Sequence, residues 1–534
     1  EAALVVELVD TRDLKSRGQK CPYGFDSRPK YYALLCVQHN LMNDFIASLM
    51  LLGAISSSNG YLPYWMTTNQ YGLMPERNGA LALFQASTQF DESKTFQYRF
   101  GTSLAANAYN NPLDVSSRTV NLMVDELYGS LKWRHLTLDI GIKHRENDFI
   151  GASKLLGSLS VTGGHLVETG NARSLPGYLI SLDPVAVPWT KKHLWLYGAY
   201  GDFATTDDRY VKNALVHRTR VGLRIFLTQR LSLDAVLDHY AMWAGQHPEN
   251  VSYPVSLKNY IRVVTGSSAG NDGTMSDRLN VIGDQGGSEI IRVSYRADNW
   301  VFTAQHDIPY ADGSGMGFQN FPDGVNTLSF SFFDKNRWIS DVVYEHQYTM
   351  YQSGPINGEA FDKDGNSITP SGVSTVGIDN YFNNSYYKSG WTHHGRMIGD
   401  PLLVPKGTHK GEWSSALVTL GIENNRVKSH HLGIGGKLFR KHPYKLMLTY
   451  SDNYGTYHTP YVGESQCQKP WGTVKETGLK QFSAAFVGQI DFLFKVQGIS
   501  VLYGLYVDKG QLYRDSVGAT LGVRYSLTNI SRKL

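Results

Sequence analysis

The sequence has 534 residues with 51 basic and 47 acidic side chains, which gives a formal net charge of +4. Charged residues make up 18%, below the roughly 25% typical of soluble domains. The small net charge excludes a nucleic-acid partner recognised through bulk charge, and three cysteines are too few for a disulfide-stapled scaffold. The longest apolar stretch, Ile46–Ile55, is too short for a membrane-spanning helix. Helical membrane proteins are therefore excluded, whereas a β-barrel is not.

The first 41 residues show no sustained helix or strand periodicity. Back-translated, Glu7–Arg17 and Gly24–Arg28 resemble two arms of a bacterial leucine tRNA gene. We interpret residues 1–41 as translation through such a gene, with Met42 as the first plausible initiator; a genuine polar extension is the alternative. Residues 42–534 then form a single domain that retains only Cys467, so it has no intramolecular disulfide.

Residues 42–60 allow two interpretations. Their apolar middle is followed by small residues, as in a secretory signal, but the positively charged region that precedes such a signal is missing. A first β-strand fits the segment equally well.

From Ala80 onward, short segments with alternating polar and apolar side chains recur to the end of the chain, and amphipathic helices are few. Examples are FQYRFGTSLAA, HLTLDIGIKH, HLWLYGAYGDF, EIIRVSYRA, YKLMLTYSD and ATLGVRYSL. This pattern predicts an all-β fold, and the number and length of the segments favour one large antiparallel barrel.

The segment Arg218–Asp238 allows the strand register to be derived. Placing like faces together centres the connection on Thr228–Arg230 and pairs Arg224 with Asp234 and Arg220 with Asp238. The same register pairs the aliphatic residues on the other face: Val221 with Leu237, Leu223 with Ala235, and Ile225 with Leu233. A slip of one residue would place charge against the apolar side. Opposed charges behind an aliphatic row favour a barrel wall with lipid outside and a wet or plugged lumen; a soluble sandwich is the alternative.

A second hairpin, Ser130–Lys143, has the same alternation and a short turn at Trp133–Arg134. By contrast, His247–Gly287 and Ser353–Gly411 are long, polar and rich in Gly, Asn and Asp. Short turns at one rim and long loops at the other are typical of outer-membrane barrels.

Four motifs that could carry chemistry fail on inspection. Gly266–Gly270 matches the G-x-S-x-G nucleophile elbow, but a loop sequence follows it where a helix is required. Asp362–Asn366 lacks the glycine position and the bidentate glutamate of a calcium loop, and Gly313–Gly317 lacks a following helix. The pairs His393–His394 and His430–His431 would point to opposite faces of a strand and could not chelate, so we interpret them as solvated loop or lumen residues. We therefore expect no enzyme, no metal and no cofactor.

Several sequence runs, taken in order, resemble the Wzi-type capsule assembly proteins of Bacteroidetes. They are Leu62–Leu73, Asp125–Gly129, Asp277–Ser288, Asp312–Gly315, Pro322–Gly324, Tyr381–Asn384 and Ser389–Leu402, and the resemblance spans residues 45–530. It implies an outer-membrane barrel of about 18 strands in a Gram-negative bacterium. The implied function is a lectin-like, non-catalytic one, in which a monomer embedded in outer-membrane lipid anchors capsular polysaccharide at the cell surface.

Within this resemblance, aromatic and cationic residues cluster on one loop, and we predict that Trp391, His394 and Arg396 contact the polysaccharide. The alternative is that this loop motif is structural and fixes how the loop plugs the barrel. A second function also stays open, a diffusion porin, if the lumen bearing Arg220, Arg224, Asp234 and Asp238 is open. A barrel enzyme is a third class, but it needs a compact constellation of nucleophile and base, and none of the candidate motifs survives inspection.

Overall fold

The computed structural model describes residues 45–58, 60–110, 118–145, 158–249, 255–270, 278, 281–311, 318, 320–354, 379–406, 420–462, 477–491 and 498–527. All of them belong to one compact unit, Phe45–Thr528. The segment that we interpret as tRNA-gene translation, residues 1–41, lies outside the described residues, as do the motifs Asp362–Asn366 and Gly313–Gly317.

Within the described part of the chain, eighteen strands form one closed antiparallel sheet, and four short strands form two separate two-stranded sheets. The barrel strands are β1 (Phe45–Ser56), β2 (Gly79–Thr88), β3 (Phe96–Asn110), β4 (Arg118–Trp133), β5 (Leu136–Ile142), β6 (Gly177–Ala186), β7 (Leu194–Ala204), β8 (Leu215–Phe226), β9 (Leu231–Trp243), β10 (Asp284–Arg296), β11 (Trp300–Tyr310), β12 (Gly324–Phe332), β13 (Asp341–Tyr348), β18 (Val427–Leu438), β19 (His442–Asn453), β20 (Leu479–Asp491), β21 (Ile499–Gly510) and β22 (Ser516–Ser526). The short strands are β14 (Thr392–His393), β15 (Arg396–Met397), β16 (Val404–Pro405) and β17 (Ile422–Asn424). The described residues also include two helices, α1 (Tyr64–Thr67) and α2 (Leu257–Val264). The predicted fold class is confirmed.

Strand β1 closes the barrel, because it pairs with β2 on one side and with β22 on the other. Leu49, for example, lies between Phe84 and Tyr525. Of the two interpretations of residues 42–60, the structure supports the strand.

The register derived for strands β8 and β9 is confirmed at every pair. Arg224 faces Asp234, Arg220 faces Asp238, and Val221 faces Leu237 on the outside. The backbone N–H of Leu227 donates to the Leu231 carbonyl at 3.0 Å, which closes the turn around the predicted three-residue connection. Charge pairing on one face and apolar pairing on the other both favour this register.

The turn between β4 and β5 lies one residue later than predicted. Trp133 pairs with Leu136, so the turn consists of Arg134 and His135 and not of Trp133 and Arg134. Arg134 adopts a positive φ of 54°, as the tight reversal of a two-residue hairpin requires. The alternation of side chains is unaffected, because Trp133 simply extends its strand by one residue.

Apolar side chains cover the outer face of the barrel, and aromatic ones gather near the rim with the short turns. Exposed examples are Phe96, Trp133, Trp189, Trp338 and Phe439. Outer-membrane barrels carry such aromatic girdles at the membrane interface. Among the described residues, no helix has the length and hydropathy to cross a membrane.

All long connections leave from the opposite rim, as predicted. The connection from β9 to β10 ends earlier than expected, because Asp284–Gly287 already belongs to β10 and pairs with β9. The stretch predicted as the loop Ser353–Gly411 contains β14, β15 and β16 and many buried side chains, among them Tyr381, Trp391 and Leu403. This connection thus turns inward and packs, because the apolar side chains that it carries are removed from water there.

Candidate functional site

An inner segment, residues 158–176 of the connection from β5 to β6, crosses the lumen and binds the inward faces of several strands. The Leu166 N–H donates to Asp307 of β11 at 2.8 Å, and the Val161 N–H donates to Glu345 of β13 at 2.5 Å. At the far end, the His431 ring bonds the Leu159 carbonyl at 2.8 Å. Irregular backbone in a lumen needs such partners, because its polar groups would otherwise be buried unsatisfied.

The predicted pair Arg220–Asp238 belongs to a larger ion cluster beneath the inner segment. Asp238, which is fully buried, also accepts from Arg218 at 3.0 Å and lies 3.1 Å from the His165 ring. Arg218 in turn donates to Glu168 at 2.6 Å. At this level, the lumen charges hold the inner segment and do not line open water.

Glu168 joins the inner segment to three parts of the wall. It accepts from Arg218 and, at 2.8 Å, from the Tyr240 hydroxyl, and Arg145 lies 3.6 Å away. Burial alone would raise the pKa of this carboxyl, but the two guanidinium groups outweigh burial and lower it below its usual value. Glu168 therefore stays ionised.

Trp391 is almost completely buried. Its indole N–H donates to the Val167 carbonyl of the inner segment at 2.7 Å, and its ring meets Tyr240 edge to face at 5.9 Å. Trp391 thus joins the loop of β14 and β15 to the inner segment and to the wall. This arrangement favours the structural alternative for this residue.

His394 and Arg396 lie on the small hairpin of β14 and β15. The His394 N–H donates to Asp207 at 3.1 Å, and burial, followed by the charges of His393 and Arg173, lowers the pKa of its ring to about 4. Arg396 donates to the Thr67 carbonyl at 3.2 Å, and burial lowers the pKa of its guanidinium. The three predicted contact residues therefore have different environments.

A small cleft opens beside this hairpin, between three long connections of the same rim. Its lining includes Tyr71, Arg145, Glu168, Arg173, Ser174 and Ile398. No hydrogen bond or ion pair joins the Arg173 guanidinium to another side chain in the described part of the chain, while Arg145 donates to the Leu175 carbonyl at 2.8 Å. The cleft encloses only about 20 Å³, room for about one water molecule, and the His144 ring stacks on one face of Tyr71 at 3.4 Å, so a sugar would reach these groups only from the mouth of the cleft.

Sequence reasoning missed the cleft, because its residues come from stretches without periodicity. Arg145 lies three residues after the end of β5, whereas Arg173 precedes β6 by four residues. Only the fold of the connections brings these cations together.

A β-bulge in β4 turns two successive carboxylates, Asp125 and Glu126, toward the lumen. With His144 they form a cluster in which one ligand atom of each lies within 4.8 Å of the others. Asp125, however, accepts from Ser103 and contacts the His144 ring, each at 2.7 Å, and the His144 N–H donates to Glu126 at 2.8 Å. These bonds explain the cluster without a metal.

The histidine pairs behave differently from each other. His430 is exposed and His431 is buried on opposite faces of β18, as predicted. His393 and His394 do not point to opposite faces as predicted, because their ring centroids lie 4.5 Å apart. His393 is also not solvated: it is buried, and its ring bonds the Arg173 carbonyl at 2.8 Å and Thr206 at 3.2 Å. The motif Gly266–Gly270 follows the end of α2 and does not precede it.

No protein-family model matches the chain, and no curated protein matches it in sequence. Among solved structures, it is similar to Wzi of Escherichia coli, described as an outer membrane protein involved in group 1 capsule assembly and a carbohydrate-binding β-barrel. The identity is 12% and the TM-score 0.50, over 93% of this chain and 89% of Wzi.

Two proteins of Pseudomonas aeruginosa also match. OccK5 (OpdH) is 12% identical with a TM-score of 0.40, over 91% of this chain and 98% of its own. The outer membrane protein OpdK is 10% identical with a TM-score of 0.41, over 91% of this chain and 99% of its own. At these identities the comparison with Wzi shows the fold alone, a large barrel distantly similar to an outer-membrane one.

Proposed function

We propose that this chain is a barrel of the Gram-negative outer membrane that binds capsular or other exported polysaccharide and retains it at the cell surface, without catalysis. The observation that carries the proposal is the inward folding of the long connections. They lie at the rim that faces the outside in outer-membrane barrels, and the buried ion pair of Glu168 with Arg218 fixes the inner segment inside the lumen. A barrel whose lumen is filled in this way is better suited to binding a ligand than to the passage of solutes.

The cleft supports a saccharide as the ligand. It lies among the connections of that outer rim, and it combines the Tyr71 ring with the Arg145 and Arg173 guanidinium groups. Arg145 is paired with the ionised Glu168 in the same cleft, so the Arg173 guanidinium is the group that we expect to donate to an oxygen of the saccharide. The distant similarity to a carbohydrate-binding barrel agrees with this choice.

A diffusion channel is the second candidate. Toward the rim with the short turns, lumen-facing cations such as Lys132 and Arg224 keep about 30% of their side chains exposed. Each of these cations is paired with an aspartate, Asp183 or Asp234, so a passage there would present both signs of charge to a solute.

The test is surface retention of polysaccharide in the native host after deletion of the gene. We expect the polymer to be made but shed into the medium, and wild-type protein to restore its retention. Arg173→Gln should restore retention only in part, at equal surface amounts of barrel. Arg230→Gln is the matched control, because Arg230 lies on a short turn and pairs with Asp298. Unchanged retention after deletion would contradict the proposal.

A further inference from the structure

Helix α2 lies on the outside of the barrel wall. Side chains alternate along a strand, and on β8 and β9 Arg218 and Asp238 face the lumen, so His217 and His239 face outward. Yet both histidines are buried. They lie at the ends of their strands next to the long-loop rim, where α2 covers them.

The contacts of α2 confirm its position. Its Tyr260 hydroxyl donates to Asp202, an outward residue of β7, at 2.7 Å, and the Tyr260 ring packs on Trp243 at 5.5 Å. The Val263 carbonyl lies 3.2 Å from the His239 ring, and Val263 itself is fully buried. The side chain of Ser256 caps the helix by accepting from the Asn259 N–H.

The opposite side of α2 is apolar and exposed. Leu257 and Ile261, one helical turn apart, are 75% and 54% exposed, and Val255 just before the helix is 66% exposed. Lys258 is exposed beside them, and Arg262 follows it after one turn. The helix contains no acidic residue.

This exposed side continues the outer apolar surface of the wall. On β8 and β9, Val221 and Leu237 are the exposed apolar residues nearest to the long-loop rim, and α2 begins to cover the wall just beyond them. A short helix with an apolar ridge and basic residues is typical of one that lies in a membrane interface.

We propose that α2 binds the anionic, phosphate-bearing lipid surface of the outer leaflet, with Leu257 and Ile261 among the acyl chains and Lys258 and Arg262 at the phosphates. The inference rests on the outer-membrane location in the proposed function, but not on saccharide binding. Continuity with the lipid-facing wall and the purely basic charge of the helix select this occupant over a protein partner.

The test is hydrogen–deuterium exchange of the full chain, refolded into zwitterionic phosphatidylcholine vesicles with and without lipid A. We expect lipid A to slow exchange in residues 255–264. Leu257→Ser combined with Ile261→Ser should abolish that protection. One basic residue near an anionic surface contributes about 1 kcal/mol. Lys258→Gln should therefore raise about fivefold the lipid A content at which protection is half-maximal.

The matched control is Lys212→Gln, since Lys212 is an exposed lysine on a neighbouring long connection. Equal protection in all variants would overturn the proposal, as would protection that does not depend on lipid A. Failure of the folded chain to insert into any vesicle would instead remove the outer-membrane premise. A variant of α2 that loses lipid A binding but retains polysaccharide normally would show that the two proposals can fail independently of each other.

Discussion

Two ion clusters on the same hairpin, four residues apart, have different roles. Near the short turn, Asp234 accepts from Arg224 at 2.8 Å and from the Tyr197 hydroxyl at 2.9 Å, all within the wall, and Arg224 keeps 30% of its side chain exposed. Deeper in the lumen, Asp238 bonds Arg218, whose side chain is only 4% exposed, and contacts His165 of the inner segment. The same pairing of charges thus stabilises the wall at one level and holds the inner segment at the next.

The largest expected effect is that of Asp238→Asn. Removing this carboxylate leaves buried guanidinium groups without their counter-charge, which costs about 3–5 kcal/mol of the free energy of unfolding. Asp234→Asn is the matched change, and we expect a smaller loss from it, because Arg224 stays partly in water whereas Arg218 does not. Urea unfolding of the refolded barrel measures both. Equal losses would remove the distinction between the two clusters.

Asp400 differs from Asp234 and Asp238, because this buried carboxyl is hydrogen-bonded to amides. It accepts from Gln347 at 2.6 Å and from the Leu402 N–H at 2.9 Å, and burial raises its pKa from 3.8 to about 7. The folded state then holds a proton that the unfolded state releases, so stability falls as the pH rises from about 4 to 7.

We expect Asp400 to contribute about 3 kcal/mol of the loss over that pH range, and Asp400→Asn to remove this share. Burial also raises the pKa of Asp323 and of Glu423 to about 7, so part of the pH dependence should remain. Glu168→Gln is the contrasting variant. Since the pKa of Glu168 is lowered, its contribution is lost only on acidification below its usual range. Unfolding at a series of pH values distinguishes the two. A wild-type protein whose stability, relative to that of Asp400→Asn, rises between pH 4 and pH 7 would contradict the raised pKa of Asp400.

Trp391→Phe should have a smaller effect. Phenylalanine keeps the ring against Tyr240 but loses the hydrogen bond to the Val167 carbonyl, which costs about 1 kcal/mol. We expect polysaccharide retention to stay normal at equal surface amounts. A loss of saccharide binding without a loss of stability would instead favour the original prediction that Trp391 contacts the ligand.

The smallest effect on stability is expected for Arg173→Gln. Because its guanidinium has no ion-pair partner among the described residues, the free energy of unfolding should change by less than about 0.5 kcal/mol. Saccharide affinity should nevertheless fall about tenfold, as for loss of one charge-assisted hydrogen bond. Calorimetry with the purified polysaccharide measures this affinity. An unchanged affinity would show that the saccharide does not bind in the cleft.

The wall could be predicted from sequence because its signal is local. In β8 and β9, the charges and the aliphatic residues each require the same register, so two independent patterns agree. The turn at Arg134 and His135 was misplaced by one residue, since Trp133 is compatible with either a strand or a turn.

The interior could not be predicted in the same way. Residues 158–176 have no period, and the partners that fix them, such as Asp307 and Glu345, are more than a hundred residues away in the chain. Trp391 and Arg396 were singled out by composition, but composition does not tell a buried indole from an exposed one. Arg173 carried no signal at all, because its role depends on which groups the fold leaves beside it.

Planar-bilayer conductance of the purified full chain tests the central claim, that the long connections close the lumen and leave a surface site for saccharide. We expect inserted wild-type barrels to show no steady open conductance, and Asp238→Asn, which releases the inner segment, to show frequent openings. A stable open channel in the wild type, unchanged by Asp238→Asn, would contradict the closed lumen and favour a diffusion channel.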